Sequence, residues 1–320
     1  MTERGLIDVH QHLMPQIYID RLATIGVMGS GEAPWPDCSV AKALDLMDQN
    51  GIATTFTSIS SPGTYFGDVD FTRRLARECN EAMAELVRGK PDRFGAFAAL
   101  PLPDIDASLR ELEYALDTLK LDGVNLVTHV AHRYMGHPEE AELYAELDRR
   151  KTVVFVHPVR PNLEGLAQFA YPTGLTELVF DTTRAMTNLL WTGALARYPN
   201  IRFIMPHGGG VTPFLLFRLS GMDSNPRLRD KIPDGVAAYL RRLYYDVAQV
   251  AGPVSLQALS EVADPDRILF GTDYPFALTG SRIVPDTISG VRGYTGYDAA
   301  MRDKVMRDNA VALFPRLAAR

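Results

Sequence analysis

The sequence of 320 residues predicts an α/β fold, a parallel (β/α)8 TIM barrel with insertions after strands one and five. Eight short apolar segments of strand type recur along the chain, and segments with helical periodicity separate them. Strands that alternate with helices favour a parallel sheet over an antiparallel sandwich. The length agrees, because a barrel of this kind takes about 250 residues and insertions can contain the surplus. A doubly wound open sheet is the alternative if fewer than eight strands form.

The predicted strands are short apolar runs that begin close to the start of the chain. They lie near residues 6–10, 53–58, 94–100, 123–128, 153–157, 202–205, 243–247 and 267–271. Between them, apolar residues at helical spacing predict helices, such as Val40, Ala43, Leu44 and Met47. Asp106 and Ser108 are predicted to precede the helix before strand four, and Asn50-Gly51 to end the helix before strand two.

Two long connections, residues 13–38 and 158–200, contain most of the surplus length. The chain has no internal repeat, low-complexity run or Gly/Ser linker that would divide it. We therefore expect a single domain over residues 1–320.

Composition restricts the class of protein. Asp and Glu number 39 against 33 Lys and Arg, for a net charge of −6, which argues against a nucleic-acid surface. Cys38 and Cys79 are far apart and form no Cys-x-x-Cys pair, so we expect reduced thiols. The first strand begins after five residues, which leaves no room for a signal peptide, and no run approaches 18 apolar residues. A cytoplasmic protein that contacts no membrane is expected.

Side chains suited to metal binding follow four of the predicted strands. His10 and His12 end strand one, His157 ends strand five, His207 follows strand six, and Asp273 follows strand eight. Residues i and i+2 of a strand point to the same side, so His10 and His12 can approach one cation together. The carboxyl ends of barrel strands meet at one rim, which brings all five side chains together. Nitrogen and oxygen ligands of this kind suit Zn²⁺ well and Mn²⁺ or Fe²⁺ acceptably.

The run of three glycines at 208–210 allows backbone to approach a ligand closely. A His-Gly-Gly-Gly sequence also occurs in the oxyanion loops of esterases. This chain lacks the Gly-x-Ser-x-Gly elbow that accompanies it, so a serine hydrolase is not expected.

The order His-x-His, His-Pro, Pro-His-Gly-Gly-Gly and Gly-Thr-Asp-Tyr-Pro-Phe resembles the amidohydrolase superfamily. Within it, the chain looks like the decarboxylase branch around aminocarboxymuconate semialdehyde, γ-resorcylate and 6-methylsalicylate decarboxylases. The resemblance extends from residue 7 to about residue 314. It implies that His10, His12, His157 and Asp273 bind one divalent metal ion, Zn²⁺ with Mn²⁺ as the alternative, and that His207 is an acid/base beside it. Strand four offers no lysine to bridge a second metal ion, which agrees with this branch.

The resemblance also implies residues that bind substrate. Arg218 matches an arginine that reaches the substrate carboxylate of the neighbouring subunit, which implies a homodimer or a dimer of dimers. Its alternative role is that of a solvated helix arginine. Trp35 matches a loop tryptophan that covers a planar substrate, although it can equally anchor the loop on the barrel. Arg184 is a second candidate to engage the carboxylate, and His129 is a candidate to line the pocket.

One position departs from the semialdehyde decarboxylases. They carry a substrate-binding arginine early in the helix after Trp35, where this chain has Ala43 beside Lys42. The segment 35–63 looks more like the 6-methylsalicylate type.

The resemblance implies a metal-dependent non-oxidative decarboxylase of a small aromatic, hydroxybenzoate-type, or enol carboxylic acid, with a proton delivered by Asp273 or His207. The alternative is a hydrolase that uses a metal-activated water on a lactone, amide or ester. The third hypothesis is a binding protein without catalysis. It gives no reason for a metal site that keeps one coordination position open.

Overall fold

The structure, a computed structural model, describes residues 5–30, 33–161, 170–276 and 282–318. The predicted barrel is confirmed, because eight parallel strands follow one another in chain order within one sheet. We number them β1 Leu6–Gln11, β2 Ile52–Thr57, β3 Phe94–Ala99, β4 Gly123–Val127, β5 Val153–His157, β6 Arg202–Met205, β7 Tyr244–Asp246 and β8 Ile268–Leu269.

Backbone hydrogen bonds join the first strand to the segment that follows the last one. The amide of Asp273 donates to the carbonyl oxygen of His10 at 2.7 Å, and the amide of His12 donates to that of Tyr274 at 2.8 Å. This pairing brings the barrel close to closure. It also fixes Asp273 beside the two histidines of β1, although more than 260 residues separate them in the chain.

Helices cover the outside of the sheet, and many bury an apolar face against it. They are α1 Gln16–Ala23, α2 Val40–Gln49, α3 Val69–Gly89, α4 Ile105–Glu113, α5 Ala141–Arg149, α6 Glu177–Thr192, α7 Ala194–Arg197, α8 Leu216–Leu219, α9 Val236–Arg241, α10 Pro253–Val262, α11 Ile283–Gly293, α12 Ala299–Asp303 and α13 Asn309–Leu313. Within the described ranges, no helix combines the length and the apolar character needed to cross a membrane.

Two predicted helix ends can be compared with the structure. Asn50 follows α2, and Gly51 has φ +67°, as the predicted end of that helix requires. The predicted start of α4 is wrong. Asp104 caps this helix by accepting a hydrogen bond from the amide of Ala107 at 2.9 Å, so Asp106 and Ser108 lie inside α4.

The predicted insertions lie partly in the described residues. The first contains α1 and a short hairpin, Gly29–Ser30 with Ala33–Pro34. Of the second, residues 162–169 lie outside the described residues, and the remainder leads into α6 and α7. A further hairpin, His129–Val130 with Arg133–Tyr134, follows the carboxyl end of β4.

Aromatic rings from β2, β3 and β5 pack against one another in the interior of the barrel. Phe56, Phe97 and Phe155 are fully buried, and successive ring centroids lie 5.5 and 5.3 Å apart. The next ring along this stack is the imidazole of His10, 4.8 Å from Phe155. His10 therefore packs directly on the aromatic rings of the barrel interior, which exclude water from that side of it.

Candidate active site at the barrel mouth

Four of the predicted residues converge on one point at the carboxyl ends of the strands. His10, His12, His157 and Asp273 are all buried, and their potential ligand atoms lie within 4.8 Å of one another. Asp273 Oδ1 is 3.2 Å from His10 Nε2, 3.1 Å from His12 Nε2 and 3.9 Å from His157 Nε2. The structure thus brings together side chains from β1, from β5 and from the segment after β8.

The chemistry of these atoms fits a cation. Among the described residues, His157 Nε2 and Asp273 Oδ1 are buried and have no hydrogen-bond partner. Buried polar atoms without partners cost free energy, and they are rare unless an ion or a water satisfies them. Three imidazole nitrogens and one carboxylate oxygen are a donor set that divalent transition metals accept. The donor set and its spacing are thus suited to hold a single divalent metal ion.

The second nitrogen of each imidazole is held by the protein, which leaves the three Nε2 atoms for the centre of the cluster. The Nδ1 atoms of His10, His12 and His157 lie at 2.8 Å from Asp246 Oδ2, 3.0 Å from the carbonyl oxygen of Ser58 and 2.8 Å from that of Pro158. Each ring orientation is therefore fixed before any ion binds, which lowers the entropy cost of binding.

Without the ion, the buried charges of the cluster compensate one another. Burial alone would lower the pKa of His10, but the carboxylates of Asp246 and Asp273 raise it to about 10. Burial and the neighbouring His12 lower the pKa of His157 to about 3. Burial would raise the pKa of Asp273, yet the imidazoles, His10 first, hold it well below its usual range. The cluster thus keeps an ionised carboxylate in the interior of the protein.

His207 and Gln249 contact the other oxygen of the same carboxylate. His207 Nε2 lies 3.1 Å from Asp273 Oδ2, while its Nδ1 is buried without a partner among the described residues. Gln249 Nε2 donates to Asp273 Oδ2 and to the carbonyl oxygen of Phe276. The φ angles of His207, Gln249 and Asp273 are +53°, +56° and +64°, a left-handed conformation that costs side-chain-bearing residues energy and concentrates at functional sites.

A cavity of about 430 Å³ opens beside the cluster, and we call it the metal-side cavity. His157, His207 and Asp273 line its inner end. Its walls are largely apolar and include Leu175, Leu178, Val179, Val250 and Phe276. This volume and this balance of apolar walls with a few polar groups are typical of sites for small molecules.

The predicted substrate-binding residues lie outside this cavity. Among the described residues that line it, none of Arg218, Trp35, Arg184 and His129 is present. Arg218 is exposed on α8, and Trp35 packs against Tyr18 with ring centroids 5.7 Å apart. Arg184 Nη2 lies 3.6 Å from Glu177 Oε2. Glu177 lines the cavity, so Arg184 contacts a lining residue without lining the cavity itself.

His129 belongs to another cluster at the same rim. Its Nδ1 lies 3.0 Å from Oδ2 of Asp181, a fully buried carboxylate of α6. Thr128 and Tyr134 donate their hydroxyl hydrogens to the same carboxylate. Here both oxygens of the carboxylate have protein donors.

Three residues of these two clusters are not among the predicted site residues. Asp246 ends β7, and a charged residue at the carboxyl end of a barrel strand is a signal that could have revealed it. Gln249 and Asp181 carry no such signal, because Gln249 lies in a loop and Asp181 in the middle of a helix. Their hydrogen-bond partners are at least 24 residues away along the chain.

Comparison with known proteins identifies the family. The amidohydrolase family model matches residues 7–316. The 6-methylsalicylic acid decarboxylase acuB of Aspergillus aculeatus is 35% identical over 328 residues, covering 97% of this chain and 96% of that protein. The 6-methylsalicylic acid decarboxylase of Penicillium expansum is 36% identical over 278 residues, 85% of each chain.

A solved structure shares the fold. The 5-carboxyvanillate decarboxylase of Novosphingobium aromaticivorans, crystallised with manganese and 4-hydroxy-3-methoxy-5-nitrobenzoic acid, has a TM-score of 0.81 at 20% identity, covering 98% of this chain and 96% of that one. The resemblance predicted from the motifs is confirmed: this chain belongs to the amidohydrolase family.

Proposed function

We propose that this protein is a metal-dependent decarboxylase that releases CO2 from a small ortho-hydroxybenzoate, with 6-methylsalicylate as the first candidate. One observation carries the proposal: in a cluster of three imidazoles and a carboxylate, His157 and Asp273 each have a buried atom without a hydrogen-bond partner among the described residues, and both line a small cavity with apolar walls. The two relatives named 6-methylsalicylic acid decarboxylase, at 35% and 36% identity, support this choice of acid.

In this proposal His10, His12, His157 and Asp273 hold the ion. When bound, the ion would act as a Lewis acid toward the oxygens of the acid. We propose Zn²⁺, which a set of three nitrogens and one oxygen suits, with Mn²⁺ as the alternative. The manganese in the 5-carboxyvanillate decarboxylase structure supports that alternative.

The chain's own part in the reaction is to deliver a proton. Loss of CO2 from a ring requires a proton on the carbon that carries the carboxylate, so that the C–C bond breaks at an sp³ centre. His207 and Asp273 both line the metal-side cavity and contact each other at 3.1 Å, so a proton can pass between them. The apolar walls exclude water, which favours release of an uncharged CO2 from a charged ring acid.

We also propose a homodimer or dimer of dimers in which Arg218 acts in the partner's site. The segment around it exposes two aromatic side chains, Phe214 at 86% and Phe217 at 94%. Exposed apolar side chains of this size mark a surface that another protein covers. If a second copy of the chain covers these two side chains, Arg218 lies in the same interface.

A complementation experiment tests this arrangement. Arg218→Ala and His207→Ala each inactivate their own homodimers by more than about tenfold. Mixed after partial dissociation, they form one intact site per heterodimer if Arg218 acts in trans, and regain up to about a quarter of wild-type activity. No regain of activity contradicts the action in trans, because a residue acting in cis leaves both sites of the heterodimer defective.

The test of the function is incubation of metal-loaded protein with 6-methylsalicylate and a panel of ortho-hydroxybenzoates. We expect CO2 and the corresponding phenol in equal amounts, abolished by chelation and restored by Zn²⁺ or Mn²⁺. A protein that holds the ion but releases no CO2 from any acid contradicts the proposal. Lactones, amides and esters are then the substrates to test, because the alternative is a hydrolase.

A further inference from the structure

A cavity of about 650 Å³ opens at the carboxyl ends of β2, β3 and β4, and we call it the second cavity. Ser61, in the loop after β2, and Arg160, in the loop after β5, line both this cavity and the metal-side cavity. The two cavities therefore adjoin at the barrel mouth. Neither the proposed metal ligands nor His207 are among the described residues that line the second cavity.

The metal-side cavity alone is large enough for a small hydroxybenzoate. Its volume is about 430 Å³, whereas a cavity of about 150 Å³ already admits benzene. A ring that carries a carboxylate, a hydroxyl and a methyl group therefore leaves the second cavity unfilled. A ligand that occupies both cavities is larger than 6-methylsalicylate.

The surface of the second cavity is largely apolar. Its apolar lining residues include Ile59, Leu100, Leu126, Val127 and Val159. Two of its polar side chains already have protein partners. Asn125 Nδ2 donates to the carbonyl oxygen of Phe155 at 3.3 Å, and His129 Nδ1 lies close to the Asp181 carboxylate. An apolar surface of this kind gains free energy when an apolar group covers it, and an uncharged chain requires no charge on the polar side chains around it.

The second cavity begins close to the proposed metal ligands. Val159, which lines it, follows His157 by two residues, so their Cα atoms are at most about 7 Å apart. Ser61 follows by three residues Ser58, whose carbonyl oxygen holds Nδ1 of His12. A substituent of a few carbon atoms can therefore extend from an acid bound at the metal into the second cavity.

We propose that the substrates of this protein include 6-alkylsalicylates with chains longer than methyl, and that the second cavity binds the alkyl chain while the metal-side cavity holds the ring. The reaction is the same. The bond between the ring and the carboxylate breaks, CO2 leaves, and a proton takes its place on the ring carbon, which gives a 3-alkylphenol. The proposal rests on the proposed function for this reaction, but binding of the chain can be measured without turnover.

The test uses 3-methyl-, 3-propyl- and 3-pentyl-2-nitrophenol as analogues of the acids. A nitro group has the shape of the carboxylate and cannot leave as CO2. Calorimetry measures the affinity of each analogue for the metal-loaded protein. We expect Kd to fall about fourfold for each additional methylene, the equivalent of about 0.8 kcal/mol per buried CH2.

Two variants locate the alkyl chain. Val127→Phe and Thr64→Phe each place a larger side chain at a half-buried position that lines the second cavity. We expect each to reduce the ratio of the methyl to the pentyl Kd by about tenfold or more, because the ring occupies space that the chain needs. Val254→Phe is the matched control, since Val254 is 83% exposed on α10, and it should leave the ratio unchanged. Metal content measures whether each variant retains its centre.

Equal Kd values for the three analogues, or binding of none of them, overturn the proposal. A dependence on chain length that both Val127→Phe and Thr64→Phe leave intact also overturns it, because the chain then lies elsewhere.

The acids themselves separate this proposal from the proposed function. We expect 6-pentylsalicylate to be decarboxylated with a higher kcat/KM than 6-methylsalicylate, and a lower value contradicts the role of the second cavity. If the analogues bind as expected and no acid releases CO2, the proposed function fails while the binding site for the chain stands.

Discussion

Two buried aspartates at the barrel mouth, Asp273 and Asp181, have similar surroundings and different hydrogen bonding. Both carboxylates lie close to imidazoles in the interior of the protein. Asp181 accepts hydrogen bonds on both oxygens, from Thr128, His129 and Tyr134. Asp273 has one oxygen, Oδ1, with no hydrogen-bond partner among the described residues, although three imidazole nitrogens are close to it.

The difference separates an acid that stabilises the fold, Asp181, from a proposed metal ligand, Asp273. A carboxylate whose oxygens are all satisfied stabilises the elements that supply its donors, here α6 and the hairpin after β4. A carboxylate with an unpaired buried oxygen is costly until something binds it. Burial alone therefore does not indicate a metal ligand, whereas an unpaired buried atom inside a cluster of donor atoms does.

The largest effect should follow from Asp273→Asn. The change removes a proposed ligand and the partner of His207, so we expect metal to be lost and kcat/KM to fall by more than the 10–100-fold that loss of an outer-shell partner typically causes. Metal analysis and steady-state kinetics measure both. Asp181→Asn is the control and should retain the ion. A loss of activity below tenfold in Asp273→Asn contradicts the assignment.

Removal of the metal should come next. At an ion concentration a hundred times the Kd, binding adds about 2.7 kcal/mol to the free energy of unfolding. A chelator should therefore lower Tm by about 4 °C, because the entropy of unfolding is about 2.1 cal/mol/K per residue. The same fall is expected in Asp181→Asn, while Asp273→Asn should show none. A chelator-dependent fall in Asp273→Asn would mean that the ion binds elsewhere.

Asp246→Asn should have an intermediate effect. Asp246 Oδ2 holds Nδ1 of His10 at 2.8 Å and keeps its Nε2 directed to the cluster. Loss of such a partner typically weakens metal binding 10–100-fold. Competition with a chelator of known affinity measures the change. Unchanged affinity for the metal ion would show that the contact between His10 and Asp246 does not contribute to metal binding.

The smallest effect should come from Tyr134→Phe, which removes one donor from Asp181. The hydroxyl lies 2.6 Å from Asp181 Oδ1, and its loss should lower the free energy of unfolding by about 1 kcal/mol without changing metal content. Tyr244→Phe is the matched control, because that hydroxyl has no hydrogen-bond partner among the described residues. Denaturant unfolding compares them. A loss of metal in Tyr134→Phe would remove the distinction between the two aspartates.

The fold could be predicted because its signals are local. Each barrel strand is a short apolar run, and the paired histidines of β1 lie at a strand end as their spacing predicts. The predicted start of α4 was wrong because Asp104, Asp106 and Ser108 are all residue types that can cap a helix. In the structure Asp104 caps it.

The contacts that orient the site residues could not be predicted, because they join residues that are far apart in sequence. Asp246 is 236 residues from His10, and although its position at the end of β7 indicates the barrel mouth, nothing in either segment indicates their contact. The left-handed conformations of His207, Gln249 and Asp273 also have no sequence signature, since such residues are usually glycine or asparagine. The roles of Arg218, Trp35, Arg184 and His129 toward substrate stay predictions.

The most direct test of the central claim is the metal content of three purified proteins after equilibration with Zn²⁺ and removal of free ion. We expect one ion per chain in the wild type, one in Asp181→Asn and none in Asp273→Asn. One ion per chain in Asp273→Asn, or none in the wild type, would contradict the claim that the unpaired carboxylate marks the metal centre.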